Sequence, residues 1–242
     1  MNKLYLLPLL FLLPLKLVAE EAEKLAPQIA IDSFIKIADK KNASFISVIN
    51  AGEQDAYLMM SAKKVLVENN KLVKKNLNIK NMANWKLAIS PGKMILRSGE
   101  EKKIKLSYLC DGAACKRDKD EIYQISIAPV PYNDAEGASS VSVAFGFAPY
   151  FIVPASESNV KYSYDIKGKQ FILKNEGNTY INAVVSICKE AQLNECIYEF
   201  KALPGRTMKY ELSDSILKNK TALMTVINHD QSYKRSEKLN FN

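Results

Sequence analysis

Four cysteines stand in two close pairs, Cys110/Cys115 and Cys188/Cys196, and they are the residues of this chain with the clearest covalent chemistry open to them. Each pair flanks a short polar stretch able to turn the chain back, Asp111 to Ala114 in the first and Lys189 to Glu195 in the second. Four cysteines allow three connectivities, and in an oxidising compartment two local disulfides are the expectation. A metal site would want more ligands than these spacings offer, and His229 is the single histidine. A Ser-His-Asp or Cys-His arrangement would have to be built on that residue. Its neighbours Asn228, Asp230 and Gln231 read as a strand end or turn rather than the floor of a cleft. The glycines are scattered singly, with no phosphate-cradling loop, and the carboxylate pairs Glu20-Glu21 and Glu100-Glu101 read as solvated surface or turns. Neither an enzyme nor a cofactor is expected.

An oxidising destination is written at the start of the chain. Met1-Asn2-Lys3 is a basic opening, Leu4–Leu15 is apolar, and Ala19 offers a cleavage point, so residues 1–19 read as a signal peptide. The apolar stretch, broken by Pro8 and Pro14, is shorter than the ~20 residues a membrane helix needs. Cleavage would remove Lys3 and Lys16 and lower the formal charge from +8 by two. That mild excess, with lysines dispersed among alternating segments, argues against a nucleic-acid partner.

The elements that must position these residues are strands. With 48% hydrophobic and 25% charged residues in 242, the chain has the composition of folded domains. Its dominant pattern is period-two alternation, as in Phe45–Ile49, Tyr57–Met60, Lys63–Val67, Lys102–Tyr108, Glu121–Ile127 and a long run from Ser139 to Val153. Turn chemistry separates them at Asn50-Ala51-Gly52, Asn69-Asn70, Ser98-Gly99-Glu100 and Pro129 to Asn133. The polar stretch Pro154 to Asn159 interrupts the series, and a second set of strands runs from Val160 to Phe241. The expectation is all-β, two sandwich domains over 26–154 and 160–242, with helix only in short pieces.

Several strings resemble the periplasmic pilus and fimbrial chaperones. In the first domain they are Leu87 to Leu106, with Ser90-Pro91-Gly92 and the basic strand after it, and Asp118 to Pro131, an acidic residue leading an aromatic strand that ends in prolines. Gly146 to Pro154 resembles the end of that domain's last strand. Lys174 to Asn178, the Cys188/Cys196 pair and Ile227-Asn228-His229 are most similar to the alternate, colonisation-factor type. The resemblance implies two immunoglobulin-like domains set in an L-shape. It further implies a chaperone that binds fimbrial subunits, lends a strand to their incomplete fold and delivers them to an outer-membrane usher. A secreted two-domain immunoglobulin-like adhesin or pilus structural subunit would share the signal, strands and disulfides, and is the alternative.

Donation needs apolar residues at every second position, because alternate side chains of a strand face the same way. Val141, Val143, Phe145 and Phe147 have that spacing. They serve equally well as this protein's own core, and the alternation leaves both readings open. A bare apolar edge would also favour self-association. By resemblance, Lys36 is the cleft cation that anchors a subunit's terminal carboxylate, a solvated surface role being the bland reading. The family's second cation is missing, since no Lys or Arg stands between Glu136 and Lys161. The resemblance also places Lys105 and Glu121 in an interdomain salt-bridge network, whose third member is Asp230 or His229.

Overall fold

The computed structural model describes residues 28–110, 112, 116–130, 145–188 and 196–241. Ten strands among them build a first sandwich: β1 (Ile29–Ile31), β2 (Ile35–Ile37), β3 (Ala43–Asn50), β4 (Ala56–Glu68), β5 (Lys71–Asn76), β6 (Leu87–Ser90), β7 (Lys93–Leu96), β8 (Glu101–Tyr108), β9 (Glu121–Val130) and β10 (Tyr150–Val153). One sheet has the order β1-β3-β8-β6; the other runs β2-β10-β9-β4-β5, with β7 also paired to β4. Alternation turns Ile46, Val48, Ile104 and Leu106 from the first sheet toward Leu58, Ile125, Ile127 and Phe151 from the second, and all eight lose their exposure completely.

A second sandwich follows. It consists of β11 (Tyr162–Lys167), β12 (Gln170–Asn175), β13 (Ile181–Ser186), β14 (Ile197–Ala202), β15 (Thr207–Glu211), β16 (Thr221–Ile227) and β17 (Lys234–Asn240). Its sheets, β11-β12-β15 and β14-β13-β16-β17, close on a separate core around Phe171, Leu173, Val185, Met224 and Val226. The chain is thus all-β in two sandwiches; among the described residues the named helical elements are a short 3₁₀ segment, Ile79–Asn84, and four residues at Asp214–Leu217.

One device recurs in both halves. Asn50 donates its amide to the carbonyls of Gln54 and Leu96 and accepts from Gly52 N–H. Asn175 donates to the carbonyls of Thr179 and Ala202 and accepts from Gly177 N–H. Buried amides are tolerated there because they are satisfied. A Cβ on Gly177 would lie 2.3 Å from the Asn159 carbonyl oxygen, so the connection between the sandwiches passes this turn only because the residue is glycine.

The strand pattern departs from expectation in three places. Tyr57–Met60 and Lys63–Val67 are one strand, β4, because it pairs continuously with β9 from Tyr57 to Val65. Strands β5, β6 and β7, which lack a sustained alternation, are held by pairing to β4 and β8. Of the expected Ser139–Val153 run, residues 139–144 lie outside the described residues; in the described remainder, regular strand covers Tyr150–Val153, preceded by a bridge at Phe147.

Burial also extends beyond the two cores. Val65, Ile122 and Ile152 are in mutual register on the outer face of their sheet, yet are almost fully buried and belong to neither core. The cover comes from the second sandwich: Tyr180, Leu203 and Met208 share a cavity with Ile35, Leu72 and Tyr150 of that face. The domain junction is therefore an apolar layer of its own, and it positions the site described next.

Candidate functional site

The apolar stripe ending in β10 leaves the core step by step. Phe151 is fully buried and Pro149 is buried; Phe147 is half-buried and Phe145 is 77% exposed. All four share one face, because the pairing Ile127↔Phe147 continues the register Tyr123↔Phe151. Phe147 exchanges both backbone hydrogen bonds with Ile127, at 2.9 and 2.8 Å. Such a pair turns the N–H and C=O groups of its neighbours, Gly146 and Ala148, to the other side of the strand. On that side β2 covers β10 only as far as Ile35, with a last bond from Tyr150 N–H to the Phe34 carbonyl at 2.8 Å. Beyond it Phe34, 63% exposed, sets its ring 6.0 Å from that of Phe147. Among the described residues this is an apolar sheet edge, along which the Ala148 carbonyl accepts from the Gln124 amide at 3.4 Å and the backbone groups of Gly146 face outward. Val141 and Val143 of the same stripe lie outside the described residues.

Gly146 keeps the edge close to its sheet, since a Cβ there would fall 2.8 Å from the Ile127 carbonyl oxygen. The nearby cavity, about 200 Å³, is lined by both sandwiches and is mostly apolar, with two cations at its border, Lys201 and Arg206. Arg206 donates to the Asn70 carbonyl at 2.6 Å and Thr207 N–H to the Asn70 side chain at 2.7 Å, so the β4–β5 turn grips the β14–β15 turn across the junction. Lys36 is elsewhere. It pairs in register with the inward Phe151 and donates to Asp32 at 2.5 Å, on the opposite face from Ile35 and Tyr150. By alternation its two neighbours turn to the outer face and its own stem to the inner one.

The acidic residues are also redistributed. Glu121 accepts from Lys64 at 3.1 Å, Tyr108 at 3.0 Å and Tyr123 at 2.8 Å, with Lys86 at 3.8 Å. Lys105 is exposed on the outer face of the other sheet, opposite Phe45, and has no part in this cluster. Asp230 is likewise local, accepting from Ser232 N–H and Oγ at 3.1 and 2.7 Å, and 3.9 Å from His229. The acid that crosses the junction is Asp120. Its buried carboxylate accepts from Ala155 N–H at 2.8 Å, Tyr180 N–H at 2.6 Å and Thr179 Oγ1 at 3.3 Å. Asp120 N–H donates to the Asn178 carbonyl, and Arg117 and Ser156 exchange backbone and hydroxyl bonds beside it.

Burial pushes the Glu121 carboxyl up, but the Tyr123 hydroxyl and Lys64 outweigh it, and the group titrates below its ordinary 4.5. Burial and the Glu121 charge in turn push the Tyr108 phenol up to about 12. For Asp120 burial prevails over its hydrogen bonds, and its carboxyl titrates above the ordinary 3.8. Neutral donors explain the difference.

Of the cysteines, Cys188 and Cys196 are bonded to each other, closing the loop between β13 and β14. Cys110 is disulfide-bonded, while Cys115 lies outside the described residues. The same holds for residues 1–19, and among the described residues no helix is long and apolar enough to cross a membrane.

Three known proteins frame this geometry. Over 192 residues, 77% of this chain and 82% of the other, it is 25% identical to an Escherichia coli protein described as an uncharacterized 25.9 kDa protein in the CS5 3′ region. The class 5 fimbriae chaperone CfaA superposes over 89% of this chain and 99% of its own with a TM-score of 0.55 at 16% identity. The SafB chaperone, solved in complex with the Salmonella enterica SafA pilin, gives a match with a TM-score of 0.54 over 90% of this chain and 99% of that one, at 12% identity. At such identities the likeness is one of fold, that of two-domain fimbrial chaperones. Residues 31–154, just over half of the 242, match the family described as CS5 fimbrial protein N-terminal domain. The match runs from the end of β1 to the proline after β10, and this chain belongs to that family.

Proposed function

We propose that this protein is a periplasmic, non-enzymatic chaperone that captures fimbrial subunits by adding a strand to their incomplete sandwich, and that it delivers them to an outer-membrane usher. The observation that carries the reading is the graded stripe: Phe151 is fully buried in this protein's core, Phe147 is half-buried and Phe145 is 77% exposed, along a sheet edge where the backbone groups of Gly146 face outward. A stripe that served only its own core would not surface at two of its three phenylalanines. Strand addition supplies a backbone ladder for affinity and side-chain pockets for choice. Val141 and Val143 would extend the stripe, and register would be set by a cation meeting the subunit's terminal carboxylate. Three cations could serve as that anchor: Lys36, whose ammonium meets Asp32, and Lys201 and Arg206, which meet Glu199 and the Asn70 carbonyl and border the junction cavity next to Ile35 and Tyr150.

Phe145→Glu is the test. A charge placed in an apolar groove costs several kcal/mol, so a co-expressed fimbrial subunit should no longer be retained by the tagged variant. The isolated variant should keep its melting temperature, since the side chain is largely in solvent already. Retention equal to wild type would refute capture at this edge. Unfolding of the isolated variant would return Phe145 to the internal core.

A further inference from the structure

Across the same sheet from the open edge, β5 is the opposite border, and the 3₁₀ segment Ile79–Asn84 leads from it to β6, the border of the facing sheet. This side of the sandwich is rich in basic residues, with Glu68 opposite Lys71 as its acidic neighbour. No acidic residue stands between Glu68 and Glu100, while six lysines and Arg97 do. Lys71, Lys74, Lys75 and Lys80 are exposed, and none takes part in an ion pair among the described residues. In their midst Ile79 is 82% exposed and Met82 59% exposed. The protrusion is built rather than frayed. Asn78 accepts from Lys80 N–H at 3.0 Å, Asn81 accepts from Asn78 N–H at 2.9 Å and donates to the Asn76 carbonyl at 2.8 Å, and Trp85 Nε1 donates to Asn81 at 2.8 Å.

We propose that this side of the first sandwich docks on an anionic phospholipid surface. Two features favour lipid over an acidic protein. The exposed cations of β5 and the 3₁₀ segment, Lys71, Lys74, Lys75 and Lys80, are all lysine, a residue depleted from protein interfaces, where arginine is enriched. Long lysine stems can lie along an apolar boundary with their ammonium groups among phosphates, which lets Ile79 and Met82 enter the headgroup layer between them. Each lysine brought near such a surface strengthens binding about fivefold, and salt weakens it by screening. The surface lies across the sheet from the capture edge, so occupation of one leaves the other open, and the inference does not depend on what that edge binds.

Trp85 is the only tryptophan of the chain, so its fluorescence reads this segment alone. The full protein, freed of residues 1–19, is mixed with vesicles of phosphatidylglycerol and phosphatidylcholine, or of phosphatidylcholine alone, and sedimented at low and high salt. Binding is expected to the anionic vesicles only, to fade with salt, and to shift Trp85 emission to the blue. Lys74→Glu with Lys75→Glu should weaken partitioning at least tenfold at low salt, and Ile79→Ser with Met82→Ser should weaken it severalfold and remove the emission shift, both with unchanged melting curves. Equal sedimentation with both vesicle types, an unmoved emission maximum, or variants that bind like wild type would overturn the proposal. So would retention of an acidic protein on this face by a chain that ignores the vesicles.

Discussion

Asp120 and Glu121 are neighbours in sequence with the same functional group, and the fold assigns them opposite tasks. Glu121 is the first residue of β9 and shares the inward face of Tyr123, where Lys64 and two phenols meet it. Asp120, one residue earlier, points the other way and binds the second sandwich through neutral backbone N–H groups and a threonine hydroxyl. One carboxylate ties the two sheets of a domain at its end, and the other ties two domains. What separates them is a half-period of a strand, and the consequence is electrostatic. A charge met by a cation is favoured in the folded state, whereas a charge buried among neutral donors is held there at a cost.

The most severe way to break this arrangement is to delete the junction acid. Asp120→Ala strands the N–H groups of Ala155 and Tyr180 in a buried site, at about 2–5 kcal/mol together. Calorimetry should then resolve two melting transitions, one for each sandwich, where the wild type shows coupled unfolding; a single unshifted transition would mean that Asp120 does not hold the domains. Glu121→Gln should cost less, about 1–3 kcal/mol, because the amide still accepts from one phenol, and it should leave the coupling intact.

Acid titration sharpens the comparison by sign. Glu121 titrates below its ordinary 4.5, so its stabilisation is complete above that pH and is lost as pH falls through the lower folded value. Asp120 titrates above its ordinary 3.8, so the folded state holds its proton longer and stability declines as pH rises from 3.8 through the higher folded value. Urea unfolding at stepped pH should show Glu121→Gln flattening the acid-side loss and Asp120→Asn flattening the opposing slope. Identical changes in both variants would erase the distinction. The smallest effect belongs to Lys105→Ala, expected within about 0.5 kcal/mol in either direction, since the side chain is exposed on the other sheet. A loss comparable to that of Glu121→Gln would restore Lys105 to the network from which the structure removes it.

These residues show how far a chain can be read before it is folded. Alternation within β3, β8 and β9 is strong enough that their inward residues, Ile46, Ile104 and Ile125 among them, are legible directly. Strands β5 and β7 are not, because lysines at Lys71, Lys74, Lys75 and Lys93 blur the pattern of edges whose structure comes from pairing with β4. Among the site residues, the period-two spacing of Phe145 and Phe147 is visible in the sequence, but not the point at which the stripe leaves the core. Asp120 is overshadowed in the sequence by the more conspicuous Glu121, although its position just before an alternating strand is a usable signal. No local signal could have placed Lys201 and Arg206 at the junction, since each lies more than a hundred residues from Ile35 and Leu72.

The sequence by itself determined the strongly alternating strands, the close cysteine pairs, the single histidine, and the two turns at Asn50 and Asn175, all of which depend on neighbours within a few residues. Only the tertiary structure decided which acid faces the second domain, that Lys36 meets Asp32, and that Lys201 and Arg206 border a cavity with Ile35 and Leu72. The physical reason is that a strand's pleat settles which side a residue faces, but what waits on that side is set by sheet order and domain packing, which join segments far apart in the chain.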